Sequence, residues 1–136
     1  MLNYLAPGTI RRPFARYSHG VEVPPGSRLV LCSGQLGIAA DDTVPADAQA
    51  QTERCFANVA AILAEAGLSL SDIVRINAFV TDRAHLPAYM AVRDRLFADP
   101  APASTLMIVA GFARPEFVVE VEVIAAGPAR EGKHHG

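Results

Sequence analysis

The run Pro-Ala-Ser-Thr-Leu-Met-Ile-Val-Ala (102–110), Gly-Phe-Ala-Arg-Pro-Glu (111–116), Phe-Val-Val-Glu-Val-Glu-Val-Ile-Ala (117–125) decides the fold. Two apolar, β-rich stretches flank a connector holding Gly111 and Pro115, which signals a hairpin. Side chains alternate between the faces of a strand, so Glu120 and Glu122 share a face with Val118 and Ile124. Phe117, Val119, Val121 and Val123 make the other face, which is wholly apolar. One face is thus built for a core. The other sets two acids among aliphatic side chains, where a carboxylate is costly unless it is paired, hydrated or used.

Working outward, Asp99-Pro100-Ala101-Pro102 closes a helix expected over about His85–Ala98. Its inward face is Leu86, Tyr89, Met90, Arg93, Leu96 and Phe97, and Pro87 sits in the first turn, where its missing N–H costs little. Ile73–Thr81 is β-branched and suits a central strand. A long helix over about Ala46–Ala66 carries the stripe Phe56, Val59, Ala60 and Leu63 at helical spacing, and Gly67 follows it as a terminator. Nearer the N-terminus, Ser18–Val23 and Arg28–Ser33 flank Pro24-Pro25-Gly26 and read as an antiparallel hairpin. Gly34 and Gly37 follow closely, where a backbone free of Cβ can approach another group. Pro7, Gly8 and Pro13 leave room only for a short strand in residues 1–16.

This order predicts an α+β, two-layer domain: a mixed β-sheet with both helices on one face. The other sheet face, apolar apart from Glu120 and Glu122, is then left bare, and it is expected to pack against further copies of the chain.

Composition bounds the function. The chain has 136 residues, a net charge of −2 and 51% hydrophobic content, which suit one domain, read here as residues 1–128 with a flexible polar tail over 129–136. Lys133 is the only lysine and no basic run occurs, so nucleic acid is not an expected partner. No apolar stretch approaches a membrane span. No signal-peptide pattern opens the chain. Cys32 and Cys55 form no metal or redox motif, His134 and His135 fall in the polar tail, and no metal or other cofactor is expected. The expected location is the cytoplasm, with reduced thiols.

Several short motifs recur together in one family: Tyr17-Ser18-His19, then Leu-Cys-Ser-Gly-Gln, then Gln51-Thr52 with Asn58-Val59, then Phe79-Val80-Thr81-Asp82, and finally Pro102-Ala103 with Val-Glu-Val-Glu-Val-Ile-Ala. From about Tyr17 to Ala126 the chain resembles the Rid (YjgF) family, the reactive-intermediate deaminases. The resemblance implies a chorismate-mutase-like fold and a homotrimer with a barrel core. Small molecules would bind in clefts between subunits. It also implies hydrolysis of enamines or imines such as 2-iminobutanoate to a carbonyl compound and ammonia. Carried over by position, the family's tyrosine falls on Tyr17, its Ser-Gly-Gln amides on Ser33 and Gly34, and its last-strand glutamate on Glu120. The arginine that grips the substrate carboxylate does not carry over, because Ser104 stands there. Leu106 replaces a cysteine, and Met90 a helix asparagine.

Losing a bidentate arginine should cost roughly a hundredfold or more in recognition of a 2-imino acid. Arg16, beside Tyr17, and Arg114 are the candidate substitutes. Glu120 on a half-apolar face should hold its proton more tightly than usual, which suits proton transfer to an imine nitrogen. The plainer alternative is that Glu120 and Glu122 pair with an arginine across the barrel. The resulting expectation is an imine or enamine deaminase whose substrate is not one of the usual 2-imino acids. A non-catalytic trimer binding a small metabolite is the second reading. An endoribonuclease or translation inhibitor is the third.

Overall fold

The computed structural model describes residues 1–130; nearly all of the expected tail lies outside the described residues. The strands are β1 (Asn3–Leu5), β2 (Gly20–Glu22), β3 (Arg28–Leu36), β4 (Ile73–Val80), β5 (Ala103–Ile108) and β6 (Val119–Gly127). The helices are α1 (Ala48–Glu65) and α2 (Leu86–Leu96). α1 starts where Asp47 Oδ1 accepts the Ala50 N–H at 2.8 Å, and ends at Gly67, whose φ of +74° favours glycine.

The main sheet has the order β3-β6-β4-β5, with β4 and β5 parallel and the other two pairings antiparallel. It is the expected mixed sheet, with the helices layered on one face. β6 is the spine. Val119, Val121 and Val123 are buried, as the alternation requires, and meet Cys55, Phe56, Val59 and Leu63 in one core. Phe97 packs edge-on to Phe56 at 5.5 Å between ring centres and ties the end of α2 to α1.

Neither expected hairpin forms. β5 and β6 are separated by β4, because β4, α2 and β5 make a parallel crossover unit that places β5 on the outer side of β4. The connector over residues 109–118 carries the chain back past the end of β4. β2 pairs with β1, not with β3. The reason lies just upstream. Ser18 bridges to Ala103, with its N–H donating to Pro102 O at 3.0 Å, so the chain enters along the β5 edge, while β3 lies at the opposite edge. The Pro24–Ser27 turn is present, with Ser27 N–H donating to Pro24 O at 3.3 Å, but it carries the chain across the sheet instead of joining paired strands.

Candidate active site

Two corners of the sheet carry the sequence-expected residues. The first lies on the open face, where β3 meets β6. The β3–β6 register shifts between Cys32 and Gln35, leaving Ser33 and Gly34 out of the ladder. Such a bulge frees backbone groups at an edge. Glu120 folds over this bulge. A Cβ added to Gly34 would lie 2.5 Å from Glu120 Oε2, so it is the absence of a side chain at Gly34, and not its φ, that lets the Glu120 carboxylate lie here. Burial and then the neighbouring Glu122 push the Glu120 carboxyl above its usual range. The ion pairs among the described residues lie elsewhere. Arg75, on the same sheet face, donates to Asn77 Oδ1 at 3.0 Å and Thr105 Oγ1 at 2.7 Å. Among the described residues Glu120 makes no ion pair within the chain; the arginine considered for it would lie across the barrel, on another copy.

The second corner is a cavity of about 320 Å³ between the β5 edge and α2, where Tyr17, Met90, Ser104 and Leu106 come together. The Ser18 bridge to β5 sets Tyr17 beside Ser104, and the Tyr17 Oη accepts the Phe14 N–H at 3.2 Å. Arg16 does not line this cavity: it donates to Phe97 O at 3.2 Å and lines an adjoining hollow with Arg11, Arg12 and Asp99, on the other side of Tyr17, which borders both. Arg114 pairs with Glu116 at 3.1 Å in the exposed connector.

The two corners cannot meet within one chain. Ser104 stands opposite Ile76, which is buried on the helix side, whereas Glu120 stands opposite Phe79 on the other face. Residues 76 and 79 differ by an odd number along β4, so their side chains leave opposite faces.

Sequence reasoning missed three participants. Arg93, assigned to the core face of α2, lines the second cavity, and so does Phe14. The signal for Arg93 was available, since an arginine is rarely placed on an otherwise apolar helical stripe. Gln51 was quoted only as part of a motif. It is buried, donates to Pro45 O at 3.0 Å and Glu116 O at 2.8 Å, and accepts the Val118 N–H at 3.0 Å, which anchors the entry to β6. Both thiols are buried. Burial raises Cys32 and pushes Cys55 up to about 12, so neither is a nucleophile at neutral pH.

Residues 9–127 match the sequence profile described as Endoribonuclease L-PSP. The chain belongs to this family. Among curated L-PSP relatives, the mitochondrial protein mmf2 of Schizosaccharomyces pombe is 36% identical over 72% of this chain and 79% of its own length. A protein named 2-iminobutanoate/2-iminopropanoate deaminase from Dermatophagoides farinae is 29% identical over 73% of this chain and 77% of its own. The fold matches the crystal structure of YyfB, a Rid-family protein of unknown function from Yersinia pestis, with a TM-score of 0.78 and 29% identity, over 91% of this chain and 97% of that one. The L-PSP family is thus the Rid family of the sequence resemblance. No described helix is long and apolar enough to cross a membrane.

Proposed function

We propose that the 1–128 unit is an imine or enamine deaminase that works in clefts between copies of itself, as a homotrimer. The observation that carries this reading is the Glu120 carboxyl: without an ion pair among the described residues, raised by burial, and folded over the unladdered Ser33–Gly34 backbone on an open sheet face. The other corner holds Tyr17, Ser104, Leu106 and Met90. A second copy docked along the β5 edge would bring the two together.

In this reading Glu120 takes a proton from water as the oxygen attacks the imine carbon, and passes a proton to the nitrogen. The carbinolamine then releases ammonia and leaves the carbonyl compound, so one water is consumed per ammonia formed. The Tyr17 hydroxyl, which accepts the Phe14 N–H, keeps its own proton to donate to the substrate. The relative named as an iminobutanoate and iminopropanoate deaminase supports the reaction class. Ser104 argues for a substrate other than those 2-imino acids, because a short neutral side chain cannot grip a carboxylate from β5.

Ammonia release from freshly generated imines tests the reading. Glu120→Ala should lower it by about a hundredfold. Wild type and variant both at the uncatalysed rate over a panel of imines would remove it. The apolar wall of Met90 and Leu106 favours a second reading, a non-catalytic metabolite-binding trimer, whose mark is ligand binding with no ammonia released. An endoribonuclease, which the family description names, or a translation inhibitor stands third and would be revived by salt-dependent retention on RNA. The two unpaired cysteines favour a cytoplasmic location. The fission-yeast relative is mitochondrial by name, and fractionation decides between the two.

A further inference from the structure

The cavity that has lost its cation at position 104 has a cation on its opposite wall. Arg93 is only 3% exposed, yet it lines the same cavity as Ser104, Tyr17, Met90 and Leu106. Its one charged partner is its neighbour Asp94. Nε and Nη2 both donate to the same oxygen, Oδ1, at 3.2 and 3.1 Å. The Asp94 side chain is itself 44% exposed, so water shares in holding that carboxylate. A guanidinium carries five N–H donors. Three of Arg93's, including both on Nη1, therefore have no protein partner among the described residues.

Those donors are not sealed in. Tyr89 Oη is the one buried side-chain polar atom among the described residues with neither a partner nor solvent. Arg93 borders the open space of this cavity, and its guanidinium carbon lies 5.8 Å from the centre of the Tyr89 ring. A buried cation with spare donors in a planar fork, set in walls of Phe14, Met90 and Leu106, is a receptor for a planar anion on an apolar body.

We propose that Arg93 is the anion-binding residue of this cleft, and that its ligand is a small organic acid whose carboxylate is held from α2 and not from β5. The inference rests on the deaminase reading only in taking this cleft as the ligand site, and it does not require turnover. Because the fork is rooted on α2, the carboxylate lies against a different wall from the one Ser104 occupies. The reacting carbon of an acid bound this way then stands differently relative to its carboxylate than in a 2-imino acid anchored at position 104. The cleft selects acids by a relocated charge instead of having lost the ability to bind them.

Equilibrium binding of benzoate and its neutral counterpart benzamide to the full chain, followed by NMR line shifts, tests this without any chemistry. Benzoate is expected to bind at least tenfold more tightly than benzamide. Arg93→Met should bring the two within about twofold of each other, chiefly by weakening benzoate. Arg93→Met with Ser104→Arg should restore the preference for benzoate by returning the charge from the other wall. Should Arg93→Met fail to fold, Ser104→Asp serves instead: a carboxylate placed in the cleft should engage Arg93 and abolish the preference. Equal binding of the two probes to the wild type, or a benzoate preference that survives Arg93→Met or Ser104→Asp, overturns the proposal. Absence of ammonia release with the benzoate preference intact would remove the deaminase reading and leave this one standing.

Discussion

The two faces of β6 differ in every respect except backbone. Val119, Val121 and Val123 are buried under α1, and their environment is complete within one chain. One residue out of phase, Glu120 and Glu122 look onto a face where Leu29, Leu31 and Met107 are 55%, 70% and 52% exposed. Burying an apolar side chain such as leucine is worth about 1.5–3 kcal/mol, so a face with this many left in water is unfinished. The helix face explains why the chain folds. The open face, with its acid over a bulge, is the face on which the proposed function rests.

The sharpest test of this contrast places the same charge on each face. Val121→Asp, on the helix side, buries a carboxylate with no partner and should cost at least about 4 kcal/mol, enough to unfold most of the population in thermal or urea melts. Leu31→Asp, on the open side, should leave far-UV circular dichroism native. It should shift the sedimenting mass toward that of a single chain and lower ammonia release at least about tenfold, because a shared cleft is lost with the contact. Equal damage to folding by both variants would erase the distinction between the faces.

Smaller effects sharpen it. Gly34→Ala drives a methyl into the Glu120 carboxylate and forces it off the bulge. Ammonia release is expected to fall about tenfold, with melting little changed. Glu120→Gln addresses the charge alone. Burial raises the folded-state pKa of Glu120, so its contribution to stability is greatest below the ordinary glutamate range and is lost as pH rises through the folded value. At neutral pH the wild type thus carries a cost that glutamine lacks. A rise in Tm of about 1–3 °C is expected near pH 7.5, fading as pH falls below about 4. A drop in Tm at neutral pH would mean that an unseen cation holds the carboxylate.

Local patterns made much of this legible. The stripe Phe56, Val59 and Leu63 located α1 to within two residues at its start and one at its end, and Gly67 marked its stop. The alternation in β6 separated core from site. Strand pairing was not legible, and both expected hairpins failed for one reason: a turn signal shows that the chain bends, not which strand it meets next. The Pro24–Ser27 turn and the Gly111–Pro115 connector both bend the chain, and each delivers it to a partner far away in sequence. Tyr17, Ser104, Leu106 and Met90 were grouped through family resemblance. Arg93 was placed in the core, because periodicity reports which way a side chain faces and not whether a cavity waits there.

By itself the sequence determined which side chains share a face, since that follows from backbone sterics repeated every two residues in a strand and about 3.6 in a helix. Tertiary structure alone decided the order β3-β6-β4-β5, the separation of Glu120 from Ser104 onto opposite faces, and the meeting of Arg93 with Ser104 across one cavity. Those outcomes depend on contacts between residues distant along the chain. Their free energies are set by competition among all possible pairings, and no local period encodes the winner.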